Sequence, residues 1–240
     1  MKTKKIELYI HIPFCNSKGR YCDFCSFQAE NAVIDDYITK LKEELIFWGK
    51  KLTKEEVVTV FIGGGTPSYL KEQYIKEICN VIFQYFKVSE NAEITIEANP
   101  GTVDLKKLCT YRESGINRIS FGLQSTIQEE LQYLGRIHTY EQFLQCYNWA
   151  REAGFCNISV DLMSAIPKQT IHSYEKNLRT IAELPPEHTS AYSLIIEEGT
   201  PFYEDENLED LLPSEEDEVR MYQMTAQILK EYGYEQYEIS

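Results

Sequence analysis

Residues 9–27 read Tyr9-Ile10-His11-Ile12-Pro13-Phe14-Cys15-Asn16-Ser17-Lys18-Gly19-Arg20-Tyr21-Cys22-Asp23-Phe24-Cys25-Ser26-Phe27. Three of the seven cysteines of the chain, Cys15, Cys22 and Cys25, fall in this one stretch. They follow an apolar, β-prone run through Ile6, Leu8, Tyr9, Ile10 and Ile12. Thiolates crowded on a loop after a strand are a usual way of holding a soft metal or an iron–sulfur cluster. The rest of the chain is read outward from this loop.

Downstream, strand and helix signals alternate. Ile34, Tyr37, Ile38, Leu41, Leu45 and Trp48 recur at helical spacing, and Val57–Ile62 is a continuous β run of the kind buried on both faces. Gly63-Gly64-Gly65-Thr66-Pro67 ends it. A helical stripe (Ile75, Ile78, Cys79, Ile82, Phe83, Phe86) precedes a strand at Ile94–Ala98, closed by Asn99-Pro100-Gly101. Helices are expected near 103–114, 126–134, 140–153 and 173–184, and strands at Ile116–Phe121, Phe155–Met163 and Thr189–Ile196. Glu197–Glu218 reads as an acidic, solvated surface excursion. A last helix starts at Val219, and Tyr234–Ile239 alternates like a strand.

Six or seven βα units in series imply α/β architecture, a parallel sheet with right-handed crossovers. No N-terminal Gly-x-Gly-x-x-Gly is present, which argues against a dinucleotide-binding sheet and favours a partial or complete βα barrel. The site of such a barrel is built at the C-terminal strand ends, where the cysteines, the glycines, Glu97, Gln124 and Asp161 fall. We divide the chain into a core at 1–196 and an extension at 197–240.

Lysine and arginine number 24 against 38 acidic residues, a net charge of −14. A field of that sign repels phosphate backbones, so no nucleic-acid partner is expected. The basic-then-apolar N-terminus lacks a small-residue cleavage site, and no apolar run approaches a membrane span. Scattered cysteines, odd in number, fit a reducing cytoplasm better than a disulfide framework. The expectation is a cytoplasmic protein that is not transmembrane.

By spacing alone, the cysteines fit a [4Fe–4S] cube with one open iron, a structural zinc, or thiols that merely pack. Zinc wants a fourth ligand, and no second Cys-x-x-Cys is present. Cys79, Cys109, Cys146 and Cys156 read as small core residues. His138, His172 and His188 read as capping or solvated.

Tyr9–Cys15 followed by Tyr21-Cys22-Asp23-Phe24 resembles the signature of radical S-adenosylmethionine (SAM) enzymes. Within them the chain is similar to the oxygen-independent coproporphyrinogen III oxidase-like family, and most of all to its haem-chaperone (HemW-like) branch. Gly63–Ser68, Ile94–Thr102, Ile119–Ser125, Asp161–Met163, Ile166–Thr170 and Ser190–Phe202 extend the match over nearly the whole chain. The resemblance implies a radical SAM barrel of the partial (β/α)6 type, a [4Fe–4S] cluster, and SAM cleaved to a 5′-deoxyadenosyl radical. It implies metal ligands among Cys15, Cys22 and Cys25, and places Tyr9 against SAM beside the cluster. Gly64, Gly65 and Thr66 line its methionine end, with Glu97, Gln124, Arg136 and Asp161 as the remaining contacts. Haem is the implied cargo and haem proteins the implied clients. The alternatives are coproporphyrinogen III oxidation and a non-catalytic or zinc-binding barrel.

Three departures stand out. The family pattern Cys-x3-Cys-x2-Cys falls on Cys15, Gly19 and Cys22, so the middle thiolate is missing and Cys25 is the substitute at hand. Ser164-Ala165 replaces an aromatic and a glycine. The family continues past residue 240 into a C-terminal domain with a haem-linked motif, so the chain is expected to be an incomplete version.

Overall fold

The structure is a computed structural model, and it describes residues 3–239. Six strands form one sheet in the order β1-β2-β3-β4-β5-β6. They are β1 Lys5–Ile12, β2 Glu56–Gly64, β3 Val88–Ala98, β4 Arg118–Gln124, β5 Ile158–Ser164 and β6 His188–Ser193. β1 with β2, β2 with β3, and β5 with β6 run parallel, as the expected crossovers require. The intervening helices are α1 Asn31–Lys51, α2 Glu72–Tyr85, α3 Leu105–Glu113, α4 Gln128–Tyr133, α5 Tyr140–Glu152, α6 Ile171–Ala182 and α7 Glu215–Glu231. None is long and apolar enough to cross a membrane, among the described residues.

Contacts divide the chain into two compact units, each built from three segments. The first holds 1–17, 24–120 and 146–156; the second holds 18–23, 121–145 and 157–240. The cysteine stretch therefore contributes to both.

In the first unit, β1 register sets Tyr9 opposite Phe61, His11 opposite Gly63 and Ile12 opposite Gly64. Val57, Val60 and Ile62 of β2 are buried, and so are Ile75, Ile78, Cys79 and Ile82 of α2, the stripe its periodicity marks. α3 starts where the Asp104 side chain accepts from the Lys107 backbone N–H.

In the second unit, Leu134, Met163, Ile166, Phe202 and Leu208 form a buried cluster, with Tyr21, Tyr192 and Leu194 packed against it. This corrects the reading of Glu197–Glu218 as a solvated excursion. Its charges face solvent, but Phe202 and Leu208 fold it back onto the core. The end of that run is also helix: α7 begins at Glu215, four residues before the expected Val219. Ser214 caps it, and Glu215, Glu216, Asp217 and Glu218 fill its first turn, where the helix dipole favours acids. A capping box of Thr170 and Ser173 opens α6. Residues 234–239 form no strand, and Ser240 lies outside the described residues.

Ala165 and Lys168 sit at φ 58° and 65°, in the left-handed region that costs a side-chain-bearing residue roughly 1–2 kcal/mol. A glycine at 165, as in the resembling family, carries no such cost.

Candidate functional site

Past the C-terminal end of β2 the backbone keeps pairing with the segment that ends and follows β1. Gly65 N–H donates to Ile12 O and Thr66 N–H to Phe14 O, both at 2.8 Å. A Cβ on Gly65 would lie 2.7 Å from Phe14 O, and one on Gly64 (φ 117°) would lie 2.5 Å from His11 Nδ1. Glycine is thus demanded here by the protein's own close approach, before any ligand is considered. Gly64 N–H donates to Glu97 Oε2 at 2.9 Å, so the expected SAM contact also braces the turn.

Residues that the sequence did not single out hold this turn. Asn99 Nδ2 donates to Thr66 Oγ1 at 3.0 Å, and Ser68 Oγ and Thr102 Oγ1 share a 2.6 Å hydrogen bond. Lys107 Nζ donates to Ser68 O and Thr102 O, and burial holds its amine below the usual lysine range. The Asn-Pro-Gly turn signal marked this loop without revealing its partners.

Tyr9 is 60% exposed and shares a 3.0 Å hydrogen bond with His11 Nδ1. Partial burial, and then the Glu97 carboxylate, push its phenol above the ordinary value. His11 Nε2 donates to Cys25 O at 3.0 Å, which ties the end of the cysteine loop to β1. Cys15 is buried and Cys25 exposed in this unit; Phe27 bonds back to Pro13 and Cys15 through the backbone.

The second unit takes the middle of the loop. Arg20 N–H donates to Leu134 O at 2.9 Å, and Phe202 N–H donates to Arg20 O at 3.0 Å. The Arg20 guanidinium pairs with Asp205 at 2.8 Å and lies 4.8 Å above the Phe202 ring. A Cβ on Gly19 would meet Tyr21 Cε1 at 2.7 Å and Leu134 O at 3.0 Å, so the space for the missing side chain is filled. All three cysteines are free thiols. Among the described residues, no three His, Cys, Asp or Glu side chains stand together as a metal-holding group. The thiols present for a cluster are Cys15, Cys22 and Cys25, with Gly19 at the middle position of the family pattern.

The expected SAM contacts of this unit do converge. Gln124 ends β4, buried, with a left-handed φ of 75°. Its Oε1 accepts from Tyr192 Oη at 2.8 Å. Arg136 Nη2 donates to Gly122 O at 2.6 Å, and its charge acts on both Tyr21 and Tyr192. Asp161 acts on the same two tyrosines, whose phenols burial pushes upward. Tyr192 carried no sequence signal beyond its place in a strand.

Three further side chains overturn their readings. Cys156 is exposed and Cys109 half-buried, so of the four scattered cysteines Cys79 and Cys146 are the core thiols. His138 is buried rather than capping, with Nε2 donating to Leu123 O at 3.2 Å. Burial, with Arg136 nearby, lowers its pKa to about 3. A folded-state pKa below the unfolded value of 6.5 means the unfolded chain takes up the proton first. Stability is therefore expected to fall as pH drops below 6.5, by about 2 kcal/mol between pH 7 and pH 5 from this group. Urea unfolding at the two pH values should show that increment in wild type and lose it in His138→Gln; an unchanged increment would remove His138 as its source.

Comparison with known proteins supplies a frame for these parts. A family model described as the Radical SAM superfamily matches residues 9–181. The chain is 39% identical over 234 residues to the haem chaperone HemW of Bacillus subtilis, covering 97% of this chain and 62% of that protein. It is 37% identical over 241 residues to HemW of Escherichia coli, covering 100% and 63%. Among solved structures, coproporphyrinogen III oxidase (HemN) of Escherichia coli, a radical SAM enzyme, superposes with a TM-score of 0.88 at 29% identity, covering 98% and 54%. The chain thus spans less than two thirds of the length of these relatives.

Proposed function

The chain belongs to the radical SAM superfamily, and we propose that it is the SAM-binding portion of a HemW-like haem chaperone. The similarity to two haem chaperones over essentially the whole chain, at 39% and 37% identity against 29% for the oxidase, carries this reading. Haem is then the cargo, haem proteins the recipients, and the cytoplasm the place of transfer.

The residues fit SAM better than they fit its usual iron–sulfur partner. Gly64 and Gly65 leave no side chain between a ligand and a turn stiffened by Asn99 and Glu97, and Tyr9 offers an exposed ring. Glu97 suits an ammonium, Arg136 a carboxylate, and Asp161 the hydroxyls of a ribose. Cys15, Cys22 and Cys25 are the available iron ligands. A [4Fe–4S] cluster supplies the electron that cleaves SAM in this superfamily. Haem transfer needs no such electron, whereas oxidative decarboxylation does, and a donor set without the family's middle cysteine therefore favours the chaperone.

Under anaerobic conditions, haem added to the protein should give the shifted Soret band of a bound species, and coproporphyrinogen III should be recovered unchanged. Conversion of coproporphyrinogen above a protein-free blank would reverse the assignment in favour of the oxidase.

A further inference from the structure

Gln124 is held in place twice over. Its backbone is fixed at φ 75° by the turn that follows. There Ser125 Oγ donates to Glu130 Oε2 at 2.6 Å, Thr126 N–H to Asn177 Oδ1 at 2.8 Å, and Ile127 N–H to Ser125 Oγ at 2.9 Å. Its side chain is fixed by β6, where the Tyr192 hydroxyl donates to Oε1 at 2.8 Å. A left-handed glutamine at a strand end is strained where a glycine would not be, and strain kept in this way marks a position whose side chain is used.

We propose that Tyr192 is a positioning residue for ligand binding. By occupying the carbonyl oxygen of Gln124, it turns that carboxamide so that Nε2 faces the ligand. A glutamine amide is ambidextrous, able to donate or accept. With Oε1 engaged it presents two N–H groups, so this position recognises an acceptor atom of the nucleoside. Asp161, close enough to both tyrosines to act on their phenols, supplies the complementary acceptor. The tyrosine touches no ligand in this assignment; it selects which end of Gln124 does. The inference rests on the SAM-binding reading above.

S-adenosylhomocysteine is the probe, because it keeps the nucleoside of SAM and cannot be cleaved as a sulfonium. Affinity is measured by calorimetry for wild type, Tyr192→Phe, Gln124→Ala, Gln124→Glu and the double variant Tyr192→Phe/Gln124→Ala. Tyr192→Phe should weaken binding about 5- to 10-fold, and the double variant should bind no more weakly than Gln124→Ala alone. Gln124→Glu, which keeps an oxygen for Tyr192 but loses the N–H donors, should bind as weakly as Gln124→Ala. A general loss of packing would instead multiply with the Gln124→Ala effect. If wild type binds and Tyr192→Phe binds equally well, or if the two losses multiply, the positioning role is overturned and the SAM reading stands. If wild type binds neither S-adenosylhomocysteine nor SAM, the SAM reading itself falls and takes the positioning role with it.

Discussion

Glu130→Ala is expected to lower the unfolding free energy by about 3–5 kcal/mol, the largest single-residue loss in the second unit. Glu130 lies in the first turn of α4 and is only 5% exposed. Its carboxylate accepts four hydrogen bonds: from Ser125 Oγ at 2.6 Å, Gln169 Nε2 at 3.0 Å, Asn177 Nδ2 at 2.8 Å and Ser173 Oγ at 2.7 Å. Those donors come from the loop after β4, the loop after β5, and α6, so one acid binds three segments. Alanine removes the acceptor and leaves buried donors that still need one, which costs more than the bonds themselves were worth. Glu130→Gln retains one carbonyl oxygen and should lose less than half as much. Urea unfolding of the three proteins measures the series. A loss under about 1 kcal/mol for Glu130→Ala would show that water replaces the carboxylate readily.

Gly19→Cys is expected to act in opposite directions with and without iron. Metal-free, the new side chain meets the Tyr21 ring at 2.7 Å and the Leu134 carbonyl at 3.0 Å. Tyr21 must rotate away from the cluster formed by Leu134, Met163, Ile166, Phe202 and Leu208. Overpacking of this kind costs about 1–3 kcal/mol. After anaerobic loading with iron and sulfide, the added thiolate contributes binding free energy that is available only to the folded chain. The variant should therefore unfold before wild type when metal-free and after it when loaded. A variant less stable in both states would mean that the loop cannot open around a third ligand.

Much of the fold was legible in the sequence because its signals are periodic. β2 and α2 announce themselves through Val57–Ile62 and the Ile75–Ile82 stripe, and the parallel order follows from their alternation. Legibility failed where burial is settled by tertiary partners. Phe202 and Leu208 sit inside an acidic run whose composition hides them. Glu130 looks like any acid in a first helical turn, and only the four donors converging on it give it a different meaning. His138 and Tyr192 likewise acquire their roles from β4, which lies far away in sequence. Motif resemblance singled out Glu97 and the glycines, but the hydrogen bonds by which they brace the turn were not legible. Those roles depend on how closely Ile12 and Phe14 approach the turn.

We expect this radical SAM chain, with Gly19 where the family pattern has its middle cysteine, to hold a cluster poorly. Iron and sulfide analysis after anaerobic reconstitution, with electron paramagnetic resonance before and after SAM, tests it most directly. Wild type is expected to hold well below the four irons of a [4Fe–4S] cluster, and Gly19→Cys several-fold more iron with a signal that shifts on SAM addition. A wild-type chain that holds a full cluster with a SAM-sensitive signal, and gains nothing from the added cysteine, would contradict it.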